Sequence, residues 1–174
     1  IWNAMIDRKP ALIARCVGVS DIIAGVKFAR EHGVAFSIKG GGHNIAGTAV
    51  ADKGLMLELS HMRGVWVDPK ARVANVQPGA MLGDVDRETQ LHGLAALMGF
   101  VSMTGATGLT LGGGVGYMSR RFGWTSDTVH SMDVVTADGR RVRASEKENA
   151  DLFWRLRGGG ANLGVVTNIE YDLF

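Results

Sequence analysis

His43 closes a run of three glycines, Lys39-Gly40-Gly41-Gly42-His43-Asn44, and about sixty residues later comes a longer run, Gly105-Ala106-Thr107-Gly108-Leu109-Thr110-Leu111-Gly112-Gly113-Gly114-Val115-Gly116. Glycine lets a backbone approach a ligand closely, and successive bare N–H groups form a concave nest suited to a pyrophosphate. Imidazole is a nucleophile, so a histidine at the lip of such a loop can touch the reactive end of a cofactor or be bonded to it. By itself a glycine triplet serves equally well as a tight turn. The strand expected before it, the flanking Lys39 and Asn44, and a second nest expected over residues 112–114 point instead to a ligand of the dinucleotide class. No G-x-G-x-x-G opens a long helix after the first strand, which disfavours a nicotinamide-binding dehydrogenase domain.

The elements that must hold these runs read as follows. An apolar strand over residues 11–17 contains the single cysteine, Cys16, which reads as a small buried hydrophobe and allows no disulfide within the chain. Ser20 with Asp21 suits a helix N-cap, Ile22, Ile23, Val26 and Ala29 recur at helical spacing, and Gly33 suits the stop. Residues 35–38 then form a strand that feeds the first glycine loop, placing residues 39–43 at a strand's carboxyl end, where α/β sheets bind ligands. Residues 55–59 read as a further strand. From Val65 the texture changes to hairpins: residues 65–68 and 72–76 alternate around Asp68-Pro69-Lys70-Ala71, and residues 133–136 and 140–143 flank Ala137-Asp138-Gly139. Between them lie a helix over residues 80–92, with Leu82, Val85, Thr89 and Leu91 inward, and a stretch from Gly93 to Met118 without a charged residue. Eight glycines in that stretch argue against a membrane span and for a loop wrapped around a ligand. A short helix over residues 149–157 and a strand over residues 165–172 complete an α+β chain. The change near Gly64 suggests two α/β subdomains, about 1–63 and 64–174, with the ligand between them.

The bulk properties exclude other classes. Net charge is +2, and lysines and arginines are scattered rather than striped, so nucleic acid is not an expected partner. Glycine accounts for 25 of 174 residues, roughly twice the usual share of about 7%, and the excess sits in the loops quoted above. No charged segment followed by an apolar core opens the sequence, and one unpaired cysteine suits a reducing compartment, so a cytoplasmic protein is expected. No histidine, cysteine or carboxylate cluster has metal-ligand spacing.

Further runs join the two glycine segments in a family pattern. Leu57-Glu58-Leu59-Ser60-His61-Met62-Arg63-Gly64-Val65, Val76-Gln77-Pro78-Gly79-Ala80, Val134-Val135-Thr136-Ala137-Asp138-Gly139 and Leu152-Phe153-Trp154-Arg155-Leu156-Arg157-Gly158-Gly159-Gly160-Ala161-Asn162-Leu163-Gly164-Val165-Val166-Thr167 follow one another in order. With residues 38–44 and 105–116, this sequence resembles the berberine bridge enzyme-like flavoproteins of the vanillyl-alcohol oxidase, or PCMH-type, superfamily. The resemblance implies a PCMH-type FAD-binding domain of two subdomains with FAD between them. It implies a pyrophosphate in the loop Lys39, Gly40, Gly41, Gly42, His43 and Asn44. Cofactor contacts at Gly79, Thr104, Gly105, Gly108, Leu111, Gly112, Gly113, Gly116 and Val166 follow from it as well. It also implies that His43 is joined to the 8α-methyl carbon of the isoalloxazine, against the plainer reading of a neutral histidine capping the loop. Val101 and Leu109 stand where doubly attached relatives carry cysteine and histidine, so a second bond is not expected.

The same resemblance implies an FAD-linked oxidase or dehydrogenase: a small organic substrate gives a hydride to flavin N5, and oxygen or another acceptor takes the electrons. A substrate domain and a C-terminal flavin-closing segment would lie outside these residues, so this stretch alone is expected to be inactive, and no catalytic residue is assigned within it. Oligomeric state is not legible. A reductase of the same fold with noncovalent FAD is the nearest alternative, and His43 argues against it; a flavin-binding module without chemistry is the other. His32, His61, His92 and His130 read as surface or cap residues, Asp127 as a turn or cap, and Arg155 and Arg157 chiefly as surface contacts with a smaller chance of meeting a phosphate.

Overall fold

The computed structural model describes residues 2–160 and 162–174; Ala161, within the last motif quoted above, lies outside the described residues. Strand β1 (Leu12–Arg15) leads into helix α1 (Val19–Glu31), then β2 (Phe36–Lys39) and β3 (Leu55–Glu58). The three strands form a parallel sheet in the order β1-β3-β2, so the third strand in the chain becomes the centre. Every residue of β3 is buried, as a central parallel strand requires.

Helix α1 lies on this sheet through Ile22, Val26 and Ala29, and these pack with Leu55, Leu57, Leu59 and Met62 into one core. Each of the valine, leucine, isoleucine and methionine side chains among them contributes about 1.5–3 kcal/mol on burial. The expected cap at Ser20 and Asp21 is corrected: Gly18 is the N-cap, and Asp21 sits in the first turn. Its Oδ2 accepts from the amides of Val17 at 2.9 Å and Gly18 at 3.1 Å, satisfying orphan donors from inside the helix and placing negative charge at its positive end. Gly33 takes φ +63 and ends the helix as expected. Cys16 lies one residue past β1 rather than within it, fully buried, and burial with the nearby Asp21 and Glu58 carboxylates pushes its thiol up to about 11.

The second sheet is antiparallel, in the order β4-β5-β8-β6-β7, from β4 (Val65–Asp68), β5 (Val73–Val76), β6 (Val129–Val135), β7 (Arg141–Ser145) and β8 (Val165–Asp172). Both hairpins form where expected. Asp68 Oδ1 accepts from the amides of Lys70 and Ala71 in the first turn, and Gly139 takes φ +78 in the second. Strand β8 is inserted between them and pairs with β5 and β6 at once. Helix α5 (Ala150–Leu156) buries Phe153 and Leu156 in the core of this half.

Two expectations in the middle of the chain fail. Helix α2 (Leu82–Gln90) buries Leu82, Val85 and Thr89, but Leu91 is 74% exposed. Nine residues beyond Leu82, at about 100° per residue, it falls on the opposite face. The uncharged stretch is not a loop throughout: helix α3 (Ala106–Leu111) forms within it, and helix α4 (Ser119–Phe122) follows it. Tertiary packing overrides the glycines here. Ala106, Thr107, Thr110 and Leu111 are buried, and Thr110 Oγ1 donates to Ala106 O at 2.9 Å and shares a 2.7 Å hydrogen bond with Tyr171 Oη on β8.

Candidate functional site

The parallel sheet delivers the first glycine loop directly from the end of β2. Residues 40–43 are half-buried, and among the described residues none of the amides of residues 40–44 finds an acceptor. Buried or half-buried amides without partners are uncommon, so the loop is a ready anion cradle. It is held from below. Lys39 Nζ lies 3.3 Å from Glu58 Oε1 on β3, and Ser60 donates its hydroxyl to Glu58 Oε2 at 2.7 Å and its amide to Oε1 at 3.1 Å. Burial alone would raise the Glu58 carboxyl, but these hydrogen bonds and the Lys39 charge hold it below its ordinary value.

The two glycine runs meet in space. A Cβ placed on Gly41 would lie 2.5 Å from Gly105 N, and one placed on Gly40 would lie 2.9 Å from the Pro78 carbonyl oxygen. Leu82 donates its amide to Thr104 O, and Ala106 its amide to Ala80 O, which pins the start of α3 beside the loop. The amides of Thr107 and Gly108, in the first turn of α3, also find no acceptor among the described residues.

The second nest expected over residues 112–114 is corrected at two of its three amides. The amides of Gly112 and Gly113 donate to Leu109 O at 3.1 Å and Thr110 O at 2.9 Å, closing the C-terminal end of α3. They are spent on the helix rather than offered to an anion.

The glycines named at the sequence level divide into two kinds. At Gly79 and Gly116 a Cβ would lie 1.9 Å from Leu59 O and 1.7 Å from Met98 O, so packing alone dictates glycine. At Gly108 nothing lies within 4 Å, and the position opens to solvent. Leu111 and Val166 are buried core residues, and Leu111 O accepts from Gly160 N, so neither presents its side chain freely.

The polar candidates separate in the same way. Lys39 is engaged by Glu58. Asn44 Oδ1 accepts from Thr48 N at 3.0 Å and shapes the turn after the loop. Among the described residues His43 keeps a buried atom without a partner, Nδ1, as Arg157 does at Nε. Thr107 Oγ1 and Thr125 Oγ1 are also buried and unpartnered. Sequence reasoning missed Thr107 as a candidate, although a threonine inside a glycine run was a visible signal. A nucleophilic nitrogen, the Thr107 hydroxyl and unpaired amides beside the Gly41–Gly105 contact fit a ligand with a pyrophosphate and an electrophilic carbon.

Asp127 and His32 cap turns and helix ends as expected. Asp127 Oδ2 accepts from Trp124 N at 2.8 Å as a cap of the 3-10 helix Thr125–Thr128, and His32 Nδ1 bonds Phe28 O at the end of α1. Arg155 and Arg157 line an open cleft of about 570 Å³ at the end of α5, where Arg157 also lies over the Phe153 ring. Among the described residues no group of three or more metal-ligating side chains is assembled, and no helix is long and apolar enough to cross a membrane.

Comparison with known proteins gives a consistent result. The profile of a FAD binding domain family matches residues 10–145. The chain is 37% identical to (R)-6-hydroxynicotine oxidase of Paenarthrobacter nicotinovorans over 174 residues, covering all of this chain and 38% of that protein. The crystal structure of 6-hydroxy-D-nicotine oxidase from Arthrobacter nicotinovorans superposes with a TM-score of 0.98 at 37% identity, over 100% of this chain and 38% of the other. Glucooligosaccharide oxidase from Acremonium strictum, described with a 6-S-cysteinyl, 8α-N1-histidyl FAD, superposes with a TM-score of 0.92 at 40% identity, over 99% of this chain and 37% of the other. The chain thus spans little more than a third of the length of these relatives.

Proposed function

The chain belongs to the FAD-binding domain family of the PCMH-type FAD-linked oxidoreductases, and from that premise we propose that it holds the flavin of an enzyme that oxidises a small organic donor. The observation that carries the reading is the buried, unpartnered Nδ1 of His43 at the lip of the loop where Gly41 packs on Gly105. We assign the pyrophosphate to the free amides of residues 40–44, with those of Thr107 and Gly108 opposite, and the flavin's dimethylbenzene edge to His43. The hydroxyls of Thr107 and Thr125 are further donors toward the cofactor.

Bound FAD supplies the hydride acceptor and the path of electrons to oxygen or another oxidant. The chain's own contribution is positional. Glycines 40–42 let the backbone reach the phosphates, Glu58 draws Lys39 away beneath the loop, and α3, tied to β8 through Thr110 and Tyr171, forms the facing wall. His43, with no hydrogen bond at Nδ1, offers a lone pair or a proton there according to tautomer. One covalent link is the expected number, because Val101 and Leu109 occupy the positions that would support a second. The donor's pocket and base lie outside these residues, and relatives that act on 6-hydroxynicotine or on glucooligosaccharides bracket the candidates. A cytoplasmic setting fits the single, buried thiol of Cys16.

The test is anaerobic. The longest soluble form of the protein, yellow as isolated, is mixed with hydroxylated N-heterocycles and with oligosaccharides while its flavin absorbance is followed. Bleaching by one class identifies the donor and supports the reading. A protein that binds no flavin would refute the reading outright, and one whose flavin no donor reduces would refute an oxidoreductase in favour of a binding module.

A further inference from the structure

The His43 ring is held by a residue far from the glycine motif. Trp2 stacks on it, with ring centroids 5.7 Å apart and planes 24° from parallel, and Trp2 N donates to Gly42 O at 3.1 Å. This contact heads a strap that follows the loop residue by residue. Asn3 Nδ2 donates to Ile45 O at 2.9 Å, and Arg8 Nη1 donates to Gly47 O at 3.0 Å. Ile6 fills the space over Gly47, where a Cβ would lie 2.4 Å from Ile6 Cγ2. Lys9 N donates to Asp52 Oδ1 at 3.1 Å.

Among the described residues His43 makes no hydrogen bond through either ring nitrogen, and the indole face is the one aromatic ring stacked on the imidazole. Trp2 is 61% exposed, a costly placement for so large an apolar ring unless its face is used. We infer that Trp2 is a positioning residue for covalent flavin attachment: it sets the imidazole plane so that a ring nitrogen faces the 8α carbon. The inference rests on the proposed bond at His43. Attachment joins that nitrogen to the 8α carbon, with loss of one proton from the carbon and one from the imidazole. The two electrons released stay on the flavin until dioxygen removes them, giving hydrogen peroxide. Geometry controls such a step, and a misplacement of about 1 Å costs on the order of 100-fold in rate.

The experiment uses the longest soluble form, prepared free of flavin and mixed with FAD in air, with samples precipitated in acid over time and covalent flavin counted. Uptake of noncovalent FAD is followed in parallel by quenching of flavin fluorescence. Trp2→Ala should slow covalent incorporation by about 10- to 100-fold while FAD is still taken up. Trp2→Phe, which keeps a flat face, should restore most of the rate. Arg8→Ala, which loosens the strap without touching His43, should leave the rate near that of the unmodified protein. Equal rates in the unmodified protein and Trp2→Ala would overturn the inference and leave the bond at His43 standing. A slowing by Arg8→Ala as large as that by Trp2→Ala, without rescue by Trp2→Phe, would overturn it in favour of general support by the strap. If the unmodified protein takes up FAD and never bonds it, the reading of His43 falls and this inference with it.

Discussion

Gly41 and Gly105 touch backbone to backbone: a Cβ on the first would lie 2.5 Å from the amide nitrogen of the second, and a Cβ on the second 2.7 Å from that of the first. Neither backbone can yield without moving its segment, the first loop or the start of α3. Gly41→Ala and Gly105→Ala are therefore each expected to lose about 1–3 kcal/mol of stability and to weaken FAD binding together. Thermal unfolding with a parallel flavin titration checks both. A variant that melts normally would show that the two runs are not packed as described.

Gly108 behaves oppositely. It lies inside α3, where glycine costs about 1 kcal/mol relative to alanine, and an added methyl group meets no protein atom within 4 Å. Gly108→Ala should raise the melting temperature of the apoprotein and lower its affinity for FAD, separating fold from site. Unchanged affinity would remove Gly108 from the cofactor wall.

Glu58 links the loop to acid stability. Its carboxyl is held below the ordinary 4.5 in the folded state, so its contribution is present above that value and is lost as pH falls through the lower folded value. Urea unfolding of the native chain should show stability dropping as pH falls from about 5 toward 3, and Glu58→Gln should flatten that drop. Parallel pH curves for the two chains would contradict the pairing with Lys39 and Ser60.

Arg63 and Asp84 join the connection between the sheets to helix α2. Arg63 donates Nε to Asp84 Oδ2 at 2.9 Å and Nη2 to Oδ1 at 2.8 Å, and the same carboxylate accepts from Met81 N at 2.8 Å. Asp84 is buried, so its removal strands a guanidinium and an amide at once. Asp84→Ala should cost about 2–3 kcal/mol in chemical unfolding, and Arg63→Ala less, because Arg63 is half-exposed.

How far the chain could be read depended on the reach of each interaction. The hairpins at Asp68 and Gly139 and the stop at Gly33 were legible because their causes lie within a few residues. The central places of β3 and β8 were not, since strand order is set by pairing across long separations. Helix α3 was hidden for a related reason: its glycines argue locally for loop, and the burial of Thr110 against Tyr171 that outweighs them comes from the far end of the chain. Within the site, the motif singled out His43 as the residue to question. It could not separate it from Lys39 and Asn44, whose side chains turn out to have partners at Glu58 and Thr48. Nor could it tell Gly79 and Gly116, fixed by packing, from Gly108, which faces open space. Trp2 carried no signal, because its meeting with His43 exists only once the strap folds back over the loop.

The bond at His43 is tested most directly by acid precipitation of the longest soluble form of the protein, followed by a flavin spectrum of the pellet and peptide mass mapping. A bond at His43 gives a yellow pellet and a peptide containing His43 heavier by the mass of FAD less two hydrogens. A colourless pellet from protein that was yellow when native, or flavin on a different peptide, would contradict it.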